Sequence, residues 1–192
     1  MVKRIVIFAS GEGTNTENIC NYFSTSTRFE VVLIATNKKD SFVINRAQKL
    51  NIPSFVFSKN DLNNSVIVEK KLLELEVDFI VLAGFLLKVP KKIINLYSDK
   101  IVNIHPSLLP KFGGKGMFGE NVHQSVIESG EKESGITIHY VNNNYDEGNV
   151  IFQEKFPLVK NESLESLLEK IRVLEMRFFP VVIERVVNSL SV

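Results

Sequence analysis

The fold class is decided by the stretch Ile5-Val6-Ile7-Phe8-Ala9-Ser10-Gly11-Glu12-Gly13-Thr14-Asn15. It opens on five consecutive apolar residues that are rich in β-branched side chains, a composition typical of a strand buried on both faces of a sheet. Gly11 and Gly13 then interrupt the run, and helical spacing follows over 16–23. A buried strand, a glycine-rich turn and a helix in this order predict the first unit of a parallel sheet.

The same alternation continues along the chain. Four more buried strands are predicted, at 31–35, 54–57, 79–83 and 101–104. The helices between them are predicted at 42–50, from Asp61 or Asn64 to Leu75, and at 90–96. After a loop over 106–119 we expect a helix at 120–129, strands at 136–141 and 150–156, and a long core-packing helix at 163–187 capped by Ser163. The pattern predicts an α/β protein with a doubly wound, mostly parallel central sheet and helices on both faces.

Composition limits the classes of protein to consider. The 23 Lys and Arg residues against 22 Asp and Glu residues give a net charge of +1, which argues against a general nucleic-acid binder. One cysteine, Cys20, excludes an internal disulfide framework and fits a reducing compartment. No apolar run reaches membrane-spanning length, and the first one is too short for a signal peptide. We expect a cytoplasmic protein with no membrane or nucleic-acid partner, forming one domain over 1–192 with halves at 1–100 and 101–192.

The first candidate site is the glycine-rich turn Ser10–Asn15. Glycines let backbone N–H groups approach an anion, and the start of the following helix adds partial positive charge. The turn is not a Walker loop, and it lacks the third glycine of a dinucleotide site because Thr16 stands there. The interpretation is a site for a single phosphate, and the alternative is a tight turn without a ligand. Lys38 and Lys39 read as solvated surface, or as contacts to a 2′-phosphate.

The second candidate is the pair Asn103 and His105 at the end of a predicted strand. A spacing of two residues places both side chains on one face of a strand. An amide donor and an imidazole together can stabilise a developing oxyanion. The alternative is a structural histidine near a loop.

The third candidate joins Thr137 and His139, on one face of a strand, with Asp146 in the turn beyond. A carboxylate close to an imidazole orients it and stabilises its charged form. The alternatives are a covered strand histidine and a turn aspartate next to Gly148. The three histidines of the chain lack metal-ligand spacing, so we expect no metal.

These stretches resemble the folate-dependent formyltransferases along nearly the whole chain. The resemblance rests on Asn-x-His-Pro-Ser-Leu-Leu-Pro at 103–110 with a downstream Asp-x-Gly at 146–148, a combination shared by that group. The loop Gly13-Thr14-Asn15 narrows the resemblance to the glycinamide ribonucleotide formyltransferases. Other matching pieces are 36–38, 81–85 and 135–141.

The resemblance implies transfer of the formyl group of 10-formyltetrahydrofolate to the amine of glycinamide ribonucleotide in purine biosynthesis, by a monomer or homodimer without a metal. It implies a phosphate-binding first half and a catalytic, folate-binding second half. The implied catalytic residues are Asn103, His105 and Asp146, with Asp146 raising the pKa of His105. The implied binding residues are Gly13, Thr14 and Asn15 for the phosphate, Glu175 for the ribonucleotide, and Phe85, Leu86, Leu87, Lys88, Val89, Asn142 and Asn144 for the folate. Ser107, Thr137 and His139 are implied supporting residues.

Three alternatives stay open at this point. The acceptor is another phosphorylated or nucleotide-sugar amine, or the chain is a non-catalytic nucleotide-binding module, or it is an NADP-dependent reductase. The Asn103, His105 and Asp146 set argues against simple binding. Two departures from the family pattern affect the folate tail and loop closure: Leu87-Lys88 stands where the family often has an Arg, and the loop 113–121 is longer than in short family forms.

Overall fold

A central sheet of seven strands organises the protein, and the computed structural model describes residues 1–190 of it. The strands are β1 (Lys3–Phe8), β2 (Phe29–Thr36), β3 (Ser54–Val56), β4 (Phe79–Leu82), β5 (Ile101–His105), β6 (Glu133–Tyr140) and β7 (Val150–Pro157). Their order in the sheet is β3-β2-β1-β4-β5-β6-β7. The first five strands are parallel, whereas β6 pairs antiparallel with β5 and with β7.

Helices cover the sheet on both sides. They are α1 (Thr14–Phe23), α2 (Val43–Lys49), α3 (Lys59–Asn64), α4 (Ile67–Glu74), α5 (Lys91–Leu96), α6 (Glu120–Glu128) and α7 (Leu164–Ser189). Among residues 1–190, no helix combines the length and the apolar character needed to cross a bilayer.

Alternate residues of β1 show why its stretch 5–8 is apolar throughout. Ile5 and Ile7 belong to the core cluster that packs against α1, α2 and α7. Val6 and Phe8 point the other way, into the cluster that holds residues of α3, α4 and α5. Successive side chains of a strand face opposite sides, so a strand between two helical layers has no polar face. The predicted fold class, doubly wound and mostly parallel, is confirmed.

The prediction of one helix from Asp61 or Asn64 to Leu75 is wrong in two respects. The N-cap is a different residue, and the region forms two helices instead of one. Ser58 is the N-cap, since its side chain accepts a hydrogen bond from the Asp61 N–H and the Asp61 carboxylate accepts one from the Ser58 N–H. This capping box opens α3, which ends at Asn64, and a separate α4 begins at Ile67. The cap predicted at Ser163 for the long helix is confirmed, because its side chain accepts from the Ser166 N–H.

The topology brings several chain segments to one edge of the sheet. Parallel strands β1, β4 and β5 end side by side, so the turns after Phe8, Leu82 and His105 are neighbours. Ligands of doubly wound folds bind outside this carboxyl edge. The antiparallel β6 adds its own side chains there, with His139 opposite Asn103 and Thr137 opposite His105.

Candidate active site

A cavity of about 1220 Å³ opens at the carboxyl edge of the sheet. Its walls come from the turn after β1, segment 84–89, the end of β5, loops 114–119 and 141–146, and one face of α7. Pockets for one drug-sized ligand occupy roughly 300–1,000 Å³, so this cavity has room for two small substrates. A second cavity of about 510 Å³ lies between the loop after β5 and strands β6 and β7, and it contains none of the predicted site residues.

Most of the predicted site residues line the larger cavity. They are Thr14, Asn15, Phe85, Leu86, Leu87, Lys88, Val89, Asn103, His105, His139, Asn142, Asn144, Asp146 and Glu175. Gly13, Ser107 and Thr137 do not contribute to its wall. The structure therefore gathers segments separated by up to 160 residues around one space.

Hydrogen bonds fix the amide of Asn103. His139 Nδ1 lies 2.7 Å from the carbonyl oxygen of Tyr140, and a carbonyl only accepts, so we assign the proton to Nδ1. His139 Nε2 is then free to accept from Asn103 Nδ2 at 3.1 Å. The amide group of Asn103 keeps a second N–H, which is available to a ligand in the cavity.

The two histidines share one carboxylate. Asp146 Oδ2 lies 3.7 Å from His105 Nδ1, and Asp146 Oδ1 lies 3.6 Å from His139 Nε2. His105 Nε2 lies 2.8 Å from the carbonyl oxygen of Phe112. Because a carbonyl oxygen only accepts, we assign a proton to Nε2. His105 Nδ1, which faces Asp146, is the position where this ring gains or loses a proton.

Burial lowers the pKa of His105, although the negative charge of Asp146 raises it in part. The carboxylate acts in the predicted direction, but His105 is only 4% exposed and desolvation of its charged form outweighs this effect, so the net shift of the pKa is downward. Burial also raises the pKa of Asp146, but the hydrogen bond from the Gly114 N–H and the positive charge that His105 carries when protonated oppose it, and the net direction is downward. The resting site therefore combines a neutral His105 with an ionised Asp146 at neutral pH.

Backbone geometry places Asp146. Its φ of 55° lies in the left-handed region, where aspartate is one of the tolerated residues. Asp146 Oδ2 accepts a hydrogen bond of 2.9 Å from the Gly114 N–H, which joins its loop to the loop after β5. Two residues on, Gly148 packs so closely on β6 that a Cβ would lie 2.7 Å from the carbonyl carbon of Tyr140. The glycine of the Asp-x-Gly motif thus allows the loop to approach the strand.

The glycine-rich turn presents the start of α1 to the cavity. Gly13 is the N-cap of α1 with a φ of 75°, and a Cβ there would lie 2.8 Å from Val43 Cβ. Gly13 therefore allows the turn to pack closely against Val43, while Thr14 and Asn15 line the cavity. Asn15 Nδ2 donates to Glu175 Oε2 at 2.8 Å. Burial raises the pKa of Glu175, and the bond from Asn15 opposes this shift.

Helix α7 contributes more to the cavity than its predicted role in core packing. Glu175 was predicted, but one face of the helix adds the residues Leu164, Glu165, Leu168, Glu169, Ile171 and Arg172. Arg172 lies three residues before Glu175, so both side chains are on the same face of α7. The sequence places these residues within one amphipathic pattern, but it does not show which of the polar positions face a cavity. Lys38, Lys115 and His123 are further cavity residues outside the predicted set.

The predicted folate-lining segment 85–89 faces loop 142–146 across the cavity. Lys88 Nζ lies 5.2 Å from the centroid of the Tyr145 ring, within cation–π range. Asn142 shapes this loop, since its side chain accepts from the Asn144 N–H at 2.9 Å. These contacts give the cavity two walls linked at Lys88 and Tyr145.

The supporting residues hold the loop that follows His105. Thr137 Oγ1 donates to the Ser107 carbonyl at 2.7 Å and accepts from the Leu109 N–H at 3.0 Å. Gln153 Nε2 donates to the same hydroxyl at 2.9 Å, and Ser107 Oγ donates to the Lys111 carbonyl at 2.9 Å. The role of Thr137 and Ser107 in this arrangement is to position backbone, since neither lines the cavity.

Most of the chain is similar to known formyl transferases. Residues 3–183 match the formyl transferase family. The chain belongs to the formyl transferase family.

Within the formyl transferases, the chain is similar to proteins named phosphoribosylglycinamide formyltransferase. The chain is 39% identical to the chloroplastic phosphoribosylglycinamide formyltransferase of Arabidopsis thaliana over 88% of its own length, but it spans only 60% of that protein. It is 33% identical to the phosphoribosylglycinamide formyltransferase of Bacillus subtilis over 97% of its own length and 96% of the relative. The expected family is confirmed.

The solved structures show the same formyl transferase fold. The crystal structure of phosphoribosylglycinamide formyltransferase from Bacillus halodurans superposes with a TM-score of 0.88 at 34% identity. The superposed region covers 98% of this chain and 97% of the Bacillus halodurans chain. The sheet order and the antiparallel β6 and β7 therefore belong to a fold that solved relatives share.

Proposed function

We propose that this protein transfers the formyl group of 10-formyltetrahydrofolate to the amine of 5-phosphoribosylglycinamide, a step of purine biosynthesis. One observation carries the proposal. Asn103, His105 and Asp146 line one cavity together with the glycine-rich start of α1 and segment 85–89, and His105 faces Asp146 within it. The named relatives support the choice of acceptor and of reaction.

The ribonucleotide fits the end of the cavity formed by α1 and α7. The N–H groups at the start of α1 and the side chains of Thr14 and Asn15 suit the 5′-phosphate. Arg172 adds a positive charge at this end. Glu175, held by Asn15, is an acceptor for ribose hydroxyl groups.

The folate fits the other end. Phe85, Leu86, Leu87 and Val89 supply apolar surface for a flat ring system, and the backbone groups of the same segment supply hydrogen-bonding partners. Asn142 and Asn144 face the ring from the opposite wall. The formyl carbon then lies near Asn103 and His105, between the two ends.

The chemistry follows from what these side chains donate. The uncharged amine of the ribonucleotide attacks the formyl carbon, and the free N–H of Asn103 stabilises the oxyanion that forms. Such a donor typically contributes about 3–4 kcal/mol to the transition state. Holding both reactants in one cavity removes the entropic cost of bringing them together.

Proton transfer uses the His105 and Asp146 pair. The attacking nitrogen must lose a proton, and the neutral His105 can accept one at Nδ1 while Nε2 remains bonded to the Phe112 carbonyl. The resulting imidazolium is stabilised by the Asp146 carboxylate and adds positive charge next to the oxyanion. Collapse of the intermediate breaks the bond from the formyl carbon to the folate nitrogen, and that nitrogen takes up the proton held by the His105 imidazolium, which returns to its neutral form.

The experiment is a formyl-transfer assay that follows the folate absorbance change with purified protein. We expect turnover that requires 5-phosphoribosylglycinamide. Folate turnover without any acceptor would indicate a deformylase and contradict the proposal. Turnover with a phosphorylated amino sugar in place of the ribonucleotide would keep formyl transfer but replace the proposed acceptor.

A further inference from the structure

Ser10 connects three strand ends at the wall of the cavity. It follows β1, is 1% exposed, and its Oγ donates to Asn37 Oδ1 at 2.6 Å. The same oxygen accepts a hydrogen bond of 2.9 Å from the Leu86 N–H. The Ser10 N–H donates to the Gly84 carbonyl at 3.1 Å. Ser10 thus joins the turn after β1 to the segments that follow β2 and β4.

The bond to Leu86 determines how segment 85–89 is presented. This segment leaves β4 through Gly84, whose φ of 69° turns the chain sharply. The Phe85 ring packs against Phe8 with centroids 5.2 Å apart, but apolar contact is not directional. A hydrogen bond to the Leu86 N–H is directional and sets the orientation of the backbone groups that follow.

We infer that Ser10 is a positioning residue that aligns the folate-lining segment 85–89 with the phosphate-binding turn. The inference rests on the proposed function for the identity of the two ligands. Ser10 lies directly before Gly11, so one side chain couples the two ends of the cavity. Without its hydroxyl, the Leu86 N–H loses its acceptor at a part-buried position, and the backbone of the segment is no longer held in this orientation.

The test compares Ser10 with Ser41, a second buried serine, which follows β2 and contacts the same turn. Ser41 Oγ donates to the Gly11 carbonyl at 2.7 Å, whereas no hydrogen bond of Ser41 reaches segment 85–89 within residues 1–190. We expect Ser10→Ala to raise the KM for 10-formyltetrahydrofolate about tenfold, with kcat and the KM for the ribonucleotide changed less than about threefold. Ser41→Ala should leave the folate KM within about twofold.

A second variant separates the effect of losing the Ser10 hydroxyl from a general disturbance of the local packing. Ser10→Thr keeps the hydroxyl, so it should recover most of the folate KM that Ser10→Ala loses. Equal rises in both KM values for Ser10→Ala, an unchanged folate KM, or a folate KM that rises as much in Ser41→Ala would overturn the inference.

Binding measurements keep the inference separate from the proposed function. If the wild-type protein shows no turnover, the proposed function fails, and calorimetric titration with tetrahydrofolate then tests Ser10 alone. A tetrahydrofolate Kd that rises about tenfold in Ser10→Ala and not in Ser41→Ala supports the inference. Equal Kd values in the two variants, or no binding by the wild-type protein, overturn it.

Discussion

The Asp146 carboxylate lies 3.7 Å from the free nitrogen of His105, while the other nitrogen of that ring is committed to the Phe112 carbonyl. The ring therefore has one position at which its protonation changes, and a charge of opposite sign faces that position. His105 belongs to a strand and Asp146 to a loop, so the sheet fixes the imidazole and the loop supplies the charge. The first two predictions follow from this pair.

Asp146→Asn should reduce kcat about 100-fold or more, because an amide cannot stabilise the imidazolium that forms when His105 takes the proton. Steady-state kinetics with both substrates saturating measures the effect. Glu147→Gln is the matched control, since it removes an exposed carboxylate from the adjacent position. A fall of kcat in Glu147→Gln as large as in Asp146→Asn would show that loop disturbance, and not the lost charge, is responsible.

His105→Ala should also reduce kcat about 100-fold or more, because it removes both the proton acceptor and the charge beside the oxyanion. Residues that act as a unit show non-additive effects, so combining His105→Ala with Asp146→Asn should cost little more than His105→Ala alone. Circular dichroism verifies that the variants fold. Multiplicative losses in the double variant would indicate that the two residues act independently.

Glu175→Gln should raise the KM for the ribonucleotide about tenfold and leave the folate KM unchanged. The side chain lies at the ribonucleotide end of the cavity, and the substitution weakens its hydrogen bond with Asn15 and its acceptor strength toward hydroxyl groups. Initial rates over a matrix of both substrate concentrations separate the two KM values. Glu184→Gln, at an exposed bond to Tyr22 on the same helix, is the control and should change neither KM.

Gly13→Ala should destabilise the protein by about 1–3 kcal/mol, because the new Cβ needs a strained φ and overlaps Val43. Gly11→Ala should stay within about 0.5 kcal/mol of the wild type, since nothing lies within 4 Å of its added Cβ. Urea denaturation provides both free energies of unfolding. Equal destabilisation by the two substitutions would contradict the packing assigned to Gly13.

Stability should fall as the pH drops below 6.5. Burial lowers the pKa of both His105 and His123 from the usual 6.5, so the unfolded chain binds protons at a pH where the folded protein does not. Above pH 6.5 both states are neutral at these positions and the contribution is constant. Urea denaturation from pH 8 to pH 5 should show a shallower loss of stability in His123→Gln than in the wild type. An identical pH profile in that variant would contradict the burial effect at His123.

The sequence predicts local structure where one physical signal dominates. Apolar β-branched runs located β1, β2, β4 and β5, and the spacing in Asn103-x-His105 placed two side chains on one face of a strand. The α3 cap was mispredicted because Asp61 is an effective capping residue in itself, but Ser58 precedes it with the correct spacing for a capping box. Local propensity does not choose between two such residues.

The parts that the sequence did not predict depend on tertiary structure. Asp146 raises the pKa of His105, but the net direction is decided by how deeply the ring is buried, and burial is a property of the assembled fold. Arg172 was missed because an amphipathic helix gives no sign of which polar residues face a cavity and which face solvent. The contact between Asn15 and Glu175 joins residues 160 positions apart, and no local pattern connects them.

The placement of α7 has a consequence for the order in which function appears during synthesis. This last helix supplies core residues such as Leu167, Ile171 and Phe179 and also one wall of the cavity. The segment proposed to face the folate is complete by residue 89, and the proposed catalytic groups by residue 146, but the proposed ribonucleotide end is closed only by Arg172 and Glu175. A nascent chain is synthesised from its N-terminus, so the segment proposed for the formyl donor would be available first and the residues proposed for the acceptor last.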